Sequence, residues 1–278
     1  RNRMFTEAAE EGRPAGWAAV LLETCRQALF PARCLSCRAF LESGPGRMPP
    51  AAGLWAEAMA RLQPYFCRAC LQALVLLAPP LCACCGTTVG GGGDGAEPLC
   101  AHCREQPPAF DRARAAFAYQ GSLRAVVHCL KYRGKTQLAR PLGGLMHSVY
   151  RDAWPSSSVD LILPVPLHRR RLRERGFNQA LLLVRRWPRV AGEPPVPLDS
   201  GVLRRTRATA PQAGLDRRDR RANIAGAFAV RRPERVAGRR LLLVDDVITT
   251  GATVGECARV LKQSGASRVE VLTLARVI

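Results

Sequence analysis

Long apolar runs are missing from this chain. No segment approaches the roughly 18–20 consecutive apolar residues that a bilayer-spanning helix needs, and the best candidate, Leu71–Leu81, is short and carries Pro79-Pro80. Insertion in a membrane is therefore not expected. A convincing secretory leader is also lacking, because the apolar stretch Trp17–Leu22 is followed at once by Glu23 and Arg26. Arg1 in place of Met points to a clipped or partial N-terminus. Lysine is scarce: only Lys131, Lys135 and Lys262 stand among the 42 cationic residues. That ratio reads as a general preference for arginine codons, so no single arginine is strong evidence. Of the four histidines only His128 and His168 fall near informative segments, and no dedicated general base announces itself.

What is present suffices for a packed core. The chain has 278 residues, 47% of them hydrophobic and 23% charged, which argues for one large domain or two smaller ones and against wholesale disorder. The net charge of +20 is unevenly spread. Through Ala109, 10 Lys+Arg face 9 Asp+Glu, a net of +1; from Phe110 onward 32 face 13, a net of +19. The stretch Pro164–Arg240 alone holds 20 Arg against 6 acids. Such a surface attracts polyanions, whether nucleic acid, phosphorylated metabolites or acidic membrane.

Eight of the 12 cysteines fall in four C-x-x-C pairs: Cys34 and Cys37, Cys67 and Cys70, Cys82 and Cys85, Cys100 and Cys103. Two intervening residues let a tight turn aim both sulfurs at one tetrahedral ion, and without a leader the pairs read as structural zinc ligands in a reducing cytoplasm. The halves of the second set are separated by 14 residues, a zinc-ribbon interval. Those of the first are separated by 29, which implies an insertion near Gly44–Leu62 or a different interleaving. Cys84 and His102 lie inside pairs, so ligand identity can shift by a position. Four sulfurs close the coordination shell and leave no open position for catalysis. Two uses stay open: a staple for a region too small to build its own core, or a ribbon that contacts nucleic acid. The near-zero charge of this region favours the staple. Cys25, Cys129 and Cys257 occupy apolar helical faces and read as core thiols.

Three regions follow: an N-terminal helical segment over 1–32, with an amphipathic helix at Trp17–Phe30; a Cys-rich double-ribbon region over 33–108, closed by Pro107-Pro108; and an α/β domain over 109–278. In the last, strands are expected at Phe117–Tyr119, Val159–Val165, Val202–Leu203, Ala227–Val230, Leu241–Val244 and Arg268–Leu274. Helices are expected at Gly121–Tyr132, with Leu123, Val126, Val127 and Leu130 inward, at Phe177–Arg186 and at Thr253–Gln263. This alternation predicts a parallel sheet with helices on both faces.

The most informative segment is LLLVDDVITTGAT at Leu241–Thr253. Four apolar residues make a central strand, two carboxylates emerge at its C-terminal edge, where open α/β sheets bind ligands, and a Thr/Gly turn opens a helix. The free N–H groups and dipole of that helix, with the hydroxyls of Thr249, Thr250 and Thr253, suit a phosphate, and Gly251 permits close backbone approach. The adjacent carboxylates repel phosphate and suit neutral hydroxyls or hydrated magnesium. A phosphate beside a diol is a ribose 5-phosphate. A Walker B strand also ends in two acids, but the nearest P-loop match, Gly134-Lys135-Thr136, has Cys129 where the leading glycine belongs and follows a helix. A receiver domain lacks its second aspartate site. An N-capped helix after a buried strand is the plain alternative.

VDDVITTGAT resembles the phosphoribosyl pyrophosphate (PRPP) loop of type I phosphoribosyltransferases. Together with the upstream cysteine pairs it is similar to the ComF (ComFC/GntX-like) family of competence-associated proteins. Further motifs recur in order: LKYRG at Leu130–Gly134, PVPLHRRRLRERGFNQA at Pro164–Ala180, RTRATAPQAGL at Arg205–Leu215 and RRANIAGAF at Arg220–Phe228. The resemblance covers about residues 30–278. It implies a type I phosphoribosyltransferase-like parallel sheet flanked by helices, preceded by a small zinc-ribbon region, and a PRPP ligand with Mg2+. It also implies a link to DNA uptake, with single-stranded DNA and a ComFA-type translocase as partners.

Carried over by position, the resemblance implies that Val244, Asp245, Asp246, Val247, Thr249, Thr250, Gly251, Ala252 and Thr253 bind PRPP. Pro164, Val165 and Pro166 would form a pyrophosphate loop whose strained, sometimes cis, peptide aims N–H groups at diphosphate. Arg169, Arg170, Arg171, Arg173 and Arg175 stand where they can neutralise that charge, or are a solvated helix start. Asp245, Asp246 and Arg175 are the catalytic candidates. Lys131, Asn178, Gln179, Arg205, Arg207, Thr209, Gln212, Arg220 and Asn223 are candidates for substrate contact or a mobile hood. Phe177 reads as a core plug, His128 as structural and His168 as the better base candidate. Two functions stay open: Mg-dependent phosphoribosyl transfer to an unidentified acceptor, or single-stranded-DNA handling with the same fold as a binding module.

Overall fold

The computed structural model describes residues 32–41, 54–90, 98–154, 158–187, 195–209 and 216–278. The expected helix Trp17–Phe30, Cys25 and Gln212 lie outside them. Four parallel strands form the central sheet: β1 (Arg112–Ala118), β2 (Leu161–Pro164), β5 (Arg240–Ile248) and β6 (Arg268–Arg276), in the order β1-β6-β5-β2. A separate antiparallel pair, β3 (Leu203–Arg205) and β4 (Phe228–Val230), stands beside it.

The alternation of the strands builds two cores. Leu242 and Val244 of β5, with Ile162, Leu272 and Leu274, pack on one face beneath α4 (Gly121–Tyr132), α5 (Ala139–Ala153) and α7 (Gln179–Val184). Leu241 and Leu243, with Leu161, Leu163, Val269 and Val271, pack on the other beneath α9 (Ala252–Gln263) and the β3–β4 pair. Both faces are covered, which is why β5 reads as an unbroken apolar run. Each fully buried Leu or Val contributes about 1.5–3 kcal/mol, so this strand is held firmly where the site begins. The sheet flanked by helices is the type I phosphoribosyltransferase-like architecture. No helix among the described residues is long and apolar enough to cross a membrane.

Several boundaries differ from expectation. β5 continues through Asp245 and Asp246 to Ile248, because its ladder with β6 persists past the apolar run, Asp245 opposite Thr273 and Ile248 opposite Arg276. β1 begins at Arg112, where arginine and alanine mask the strand signal. The helix expected at Phe177–Arg186 is present but shorter at both ends, and a separate helix precedes it. α6 (Arg169–Arg175) stops at Gly176, whose φ of 81° ends it, and α7 starts after the Asn178 cap. Phe177 is half-buried rather than a core plug. α1 (Leu54–Ala60), α2 (Arg68–Gln72), α3 (Ala101–Glu105) and α5 carry no expectation from the sequence; α1 and α5 pack on each other, with Gly144 close to Ala58. Leu123, Val126, Val127 and Leu130 are buried as expected, as are Cys129 and Cys257.

Candidate functional site

A cavity of about 320 Å³ opens at the C-terminal end of β5 and β2, the edge at which parallel α/β sheets place ligands. Consecutive residues of a strand leave opposite faces, and the partners of the two acids follow that rule. Asp246 meets Lys131 from α4, Nζ to Oδ2 2.8 Å. Asp245 is flanked from the other face by Cys257 of α9 and Arg205 of β3, and its Oδ1 accepts the Asp246 N–H at 2.8 Å. Both acids are buried, at 9% and 3% exposure. Burial, then the charge of Asp246, push the Asp245 carboxyl up to about 8 against the pull of Lys131. Burial works against the Lys131 ammonium, but Asp246 and then Asp245 overcome it and raise its pKa. The acids thus form a tight cluster with one internal cation.

Beyond Ile248 the chain turns through Thr249–Gly251 into α9. Gly251 is the cap at φ 80° and ψ 1°, a left-handed conformation that costs other residues about 1–2 kcal/mol. A Cβ there would sit 3.7 Å from Phe110 and 3.8 Å from Ile248. Conformation rather than crowding therefore asks for glycine. The Thr250 Oγ1 accepts the Ala252 N–H at 3.4 Å. The first N–H groups of this 12-residue helix have no intrahelical acceptor and face the cavity mouth with the positive end of the dipole.

The cavity wall brings together Lys131, Val165, Pro166, Gln179, Arg205, Arg220, Asp245, Asp246, Val247, Thr249, Gly251, Ala252 and Thr253, and adds Tyr119, Leu167, Ile248 and Val254, which the sequence did not mark as site residues. Burial lowers the pKa of Arg205, whose Nη2 donates to Thr209 Oγ1. Val244 and Pro164 lie behind the wall in the strands. Thr250 turns into a neighbouring cavity of about 420 Å³ between this loop and the second cysteine group.

Other candidates are placed elsewhere. Asn178 is committed to structure: its Oδ1 accepts the N–H groups of Ala180 and Leu181, and its Nδ2 donates to the Val165 carbonyl at 3.0 Å. Arg207 donates to the carbonyls of Asn223 and Ala225, both at 2.9 Å, at the end of α8 (Arg217–Ile224). Arg175 Nη1 donates to Gln179 Oε1 at 2.5 Å, and its guanidinium lies 5.3 Å from the Tyr132 ring centroid. His168 caps α6, accepting the Arg170 N–H, and His128 is exposed beside Tyr132. The expected cis or N–H-presenting loop after β2 takes a different form. Among the described residues the only cis bond is Pro79-Pro80, the Val165 N–H donates to Val244, and proline has none to give. Any N–H contribution from this loop starts at Leu167.

The cysteines assemble in the expected fours. The sulfurs of Cys34, Cys37, Cys67 and Cys70 lie within 4.8 Å of one another, as do those of Cys82, Cys85, Cys100 and Cys103. Cys37 to Cys67 is 3.6 Å and Cys85 to Cys100 is 3.7 Å. Four thiolates at about 2.3 Å around a tetrahedral zinc stand about 3.8 Å apart, so each group could hold that ion. Burial opposes ionisation of Cys82, but the N–H groups of Cys100, Cys85 and Cys84 aimed at its sulfur prevail and bring it to about 6. Cys34 is brought to about 6 in the same way, burial being outweighed by the N–H groups of Cys67, Cys37 and Ser36. The two groups serve opposite faces: Cys34 and Cys70 join the core under α4 and α5, while Cys82, Cys85 and Cys103 join the core under α9.

Residues 196–277 match the phosphoribosyl transferase domain family. The chain is 37% identical over 185 residues to DNA utilization protein YhgH of Escherichia coli O157:H7, spanning 64% of this chain and 78% of that protein. It is 34% identical over 237 residues to the Salmonella typhi protein of the same name, spanning 84% and 95%. To Competence protein F of Haemophilus influenzae it is 35% identical over 182 residues, spanning 64% and 78%. A phosphoribosyl transferase domain that carries two four-cysteine groups ahead of it, in a chain this similar to competence protein F, makes this protein a member of the ComF family.

Proposed function

We propose that this chain binds PRPP, or a close ribose 5-phosphate relative, with Mg2+ and transfers the phosphoribosyl group to an acceptor base. The observation that carries the reading is the convergence of Asp245, Asp246, Thr249, Gly251 and Thr253 on one cavity with Lys131, Arg205 and Arg220. The 5-phosphate would sit on the helix N-terminus and the threonine hydroxyls, and the carboxylates would hold the ribose hydroxyls. As the bond from ribose C1 to diphosphate breaks, positive charge develops on the sugar and negative charge on the leaving group. Arg205 and Arg220 would meet the diphosphate, so catalysis rests on positioning and charge neutralisation.

The donor set fits magnesium. Two carboxylates offer hard oxygens of the kind Mg2+ takes in ones and twos beside substrate oxygens. Lys131 offsets only one of the two charges, and the raised Asp245 carboxyl marks the remainder. When bound, Mg2+ would stabilise the diphosphate charge. The two cysteine groups would hold structural zinc, which suits a reducing compartment such as the cytoplasm.

Calorimetric titration of PRPP with Mg2+ into the wild type and into Asp245→Asn/Asp246→Asn tests the site. Binding that the double variant loses is the expected result; equal affinity in the two proteins means the ribose site lies elsewhere.

A second reading, single-stranded-DNA handling beside a ComFA-type translocase, is favoured by α6. That helix carries five arginines and one glutamate. Glu174 pairs with Arg170 and Arg171, while Arg169 and Arg173 are exposed and make no ion pair among the described residues. The two readings are compatible, since PRPP recognition and a polyanion surface use different residues.

A further inference from the structure

Tyr132 is the most exposed of the large apolar side chains among the described residues, at 63%. A scattered exposed aromatic needs no explanation; this one is held in a particular pose. The Arg175 guanidinium lies 5.3 Å from the ring centroid, and the His128 ring centroid lies 4.9 Å away at an interplanar angle of 45°. A cation and a second ring hold the phenol, and 63% of the residue remains open to solvent.

The pose is at the rim of the ribose-phosphate cavity. The preceding residue, Lys131, reaches inward to Asp246 at 2.8 Å. Arg175 joins Gln179, a cavity wall residue, at 2.5 Å. Arg175 is also the last residue of α6, whose Arg169 and Arg173 are exposed. An oriented, largely exposed aromatic ring beside a basic helix is the arrangement by which single strands are bound, phosphates on the cations and an unstacked base on the ring. A duplex, its bases stacked on one another, has no free base face to offer.

We infer that Tyr132, posed by Arg175 and His128, is a stacking platform for a base of single-stranded nucleic acid at the cavity rim. This rests on the polyanion-binding reading and names its base-contacting site. Phosphates on α6 supply the salt-sensitive part of the affinity, and the ring supplies a part that does not depend on salt.

Fluorescence anisotropy separates the two. The probes are an oligothymidylate and an abasic strand of equal length, titrated across a salt series into wild type, Tyr132→Ala and Tyr132→Phe. A single base stack is worth about 5- to 150-fold in affinity. The wild type should favour oligothymidylate over the abasic strand by a factor in that range. Tyr132→Ala should lose that preference while its dependence on salt keeps the same slope, and Tyr132→Phe, which keeps the ring, should retain it. Equal binding of both strands by the wild type, or an undiminished preference in Tyr132→Ala, overturns the platform and leaves the polyanion surface standing. Absence of binding to either strand at low salt overturns both.

Discussion

Replacing Lys131 by Met removes the internal cation of the site without removing its volume, and the consequence follows from the geometry. Nζ stands 2.8 Å from Asp246 Oδ2, with side-chain exposures of 19% and 4%. At an effective dielectric of about 20, unit charges at that distance attract by about 6 kcal/mol. Much of this offsets desolvation. Removal of one partner, however, leaves the other charged and buried, which costs about 3–5 kcal/mol. Urea unfolding at neutral pH should show that loss, and melting should fall by about 6–20 °C at about 2–4 °C per kcal/mol. Adding Asp246→Asn removes the stranded charge, so the double variant should regain most of the stability, with a coupling energy above about 2 kcal/mol. Additive single effects would refute the ion pair as the cause.

Two further outcomes are expected. Because the Asp245 carboxyl is held at about 8, it is neutral below that pH in the unliganded site, and a cation that takes its oxygens must release its proton. Affinity for Mg2+ with PRPP should climb by up to about tenfold per pH unit from about pH 6 and level off above about 8. Calorimetry in buffers of different ionisation enthalpy reads the proton release, and a flat profile would remove Asp245 from the cation site. Gly143→Ala sets two principles against each other. Helix propensity alone forecasts a gain of about 1 kcal/mol, but a Cβ on Gly143 of α5 would lie 2.1 Å from the Leu183 carbonyl oxygen in α7. Loss of stability by more than about 2 kcal/mol is expected; a melting temperature at or above wild type would show that the two helices separate at little cost.

The sequence by itself determined the elements whose signal is local. The apolar run of β5, the inward stripe of Gly121–Tyr132, the Thr/Gly turn before α9 and the four C-x-x-C pairs are legible because burial periodicity, turn chemistry and ligand spacing act within a few residues. Folding decided the partners. That Lys131 neutralises Asp246, that Asp245 and Asp246 leave opposite faces of a strand extending past them, and that Asn178 and Arg207 are spent on helix ends depend on residues far apart in the chain. The same is true of Gly143 and Gly144, which look like helix weaknesses until α7 and α1 close on α5. It also holds for Tyr132, which in the sequence closes a helix within LKYRG and has no assigned partner. Hydrogen bonds and ion pairs across crossovers leave no periodic trace, so only the packed sheet shows which side chains are free to meet a ligand and which are already holding the fold.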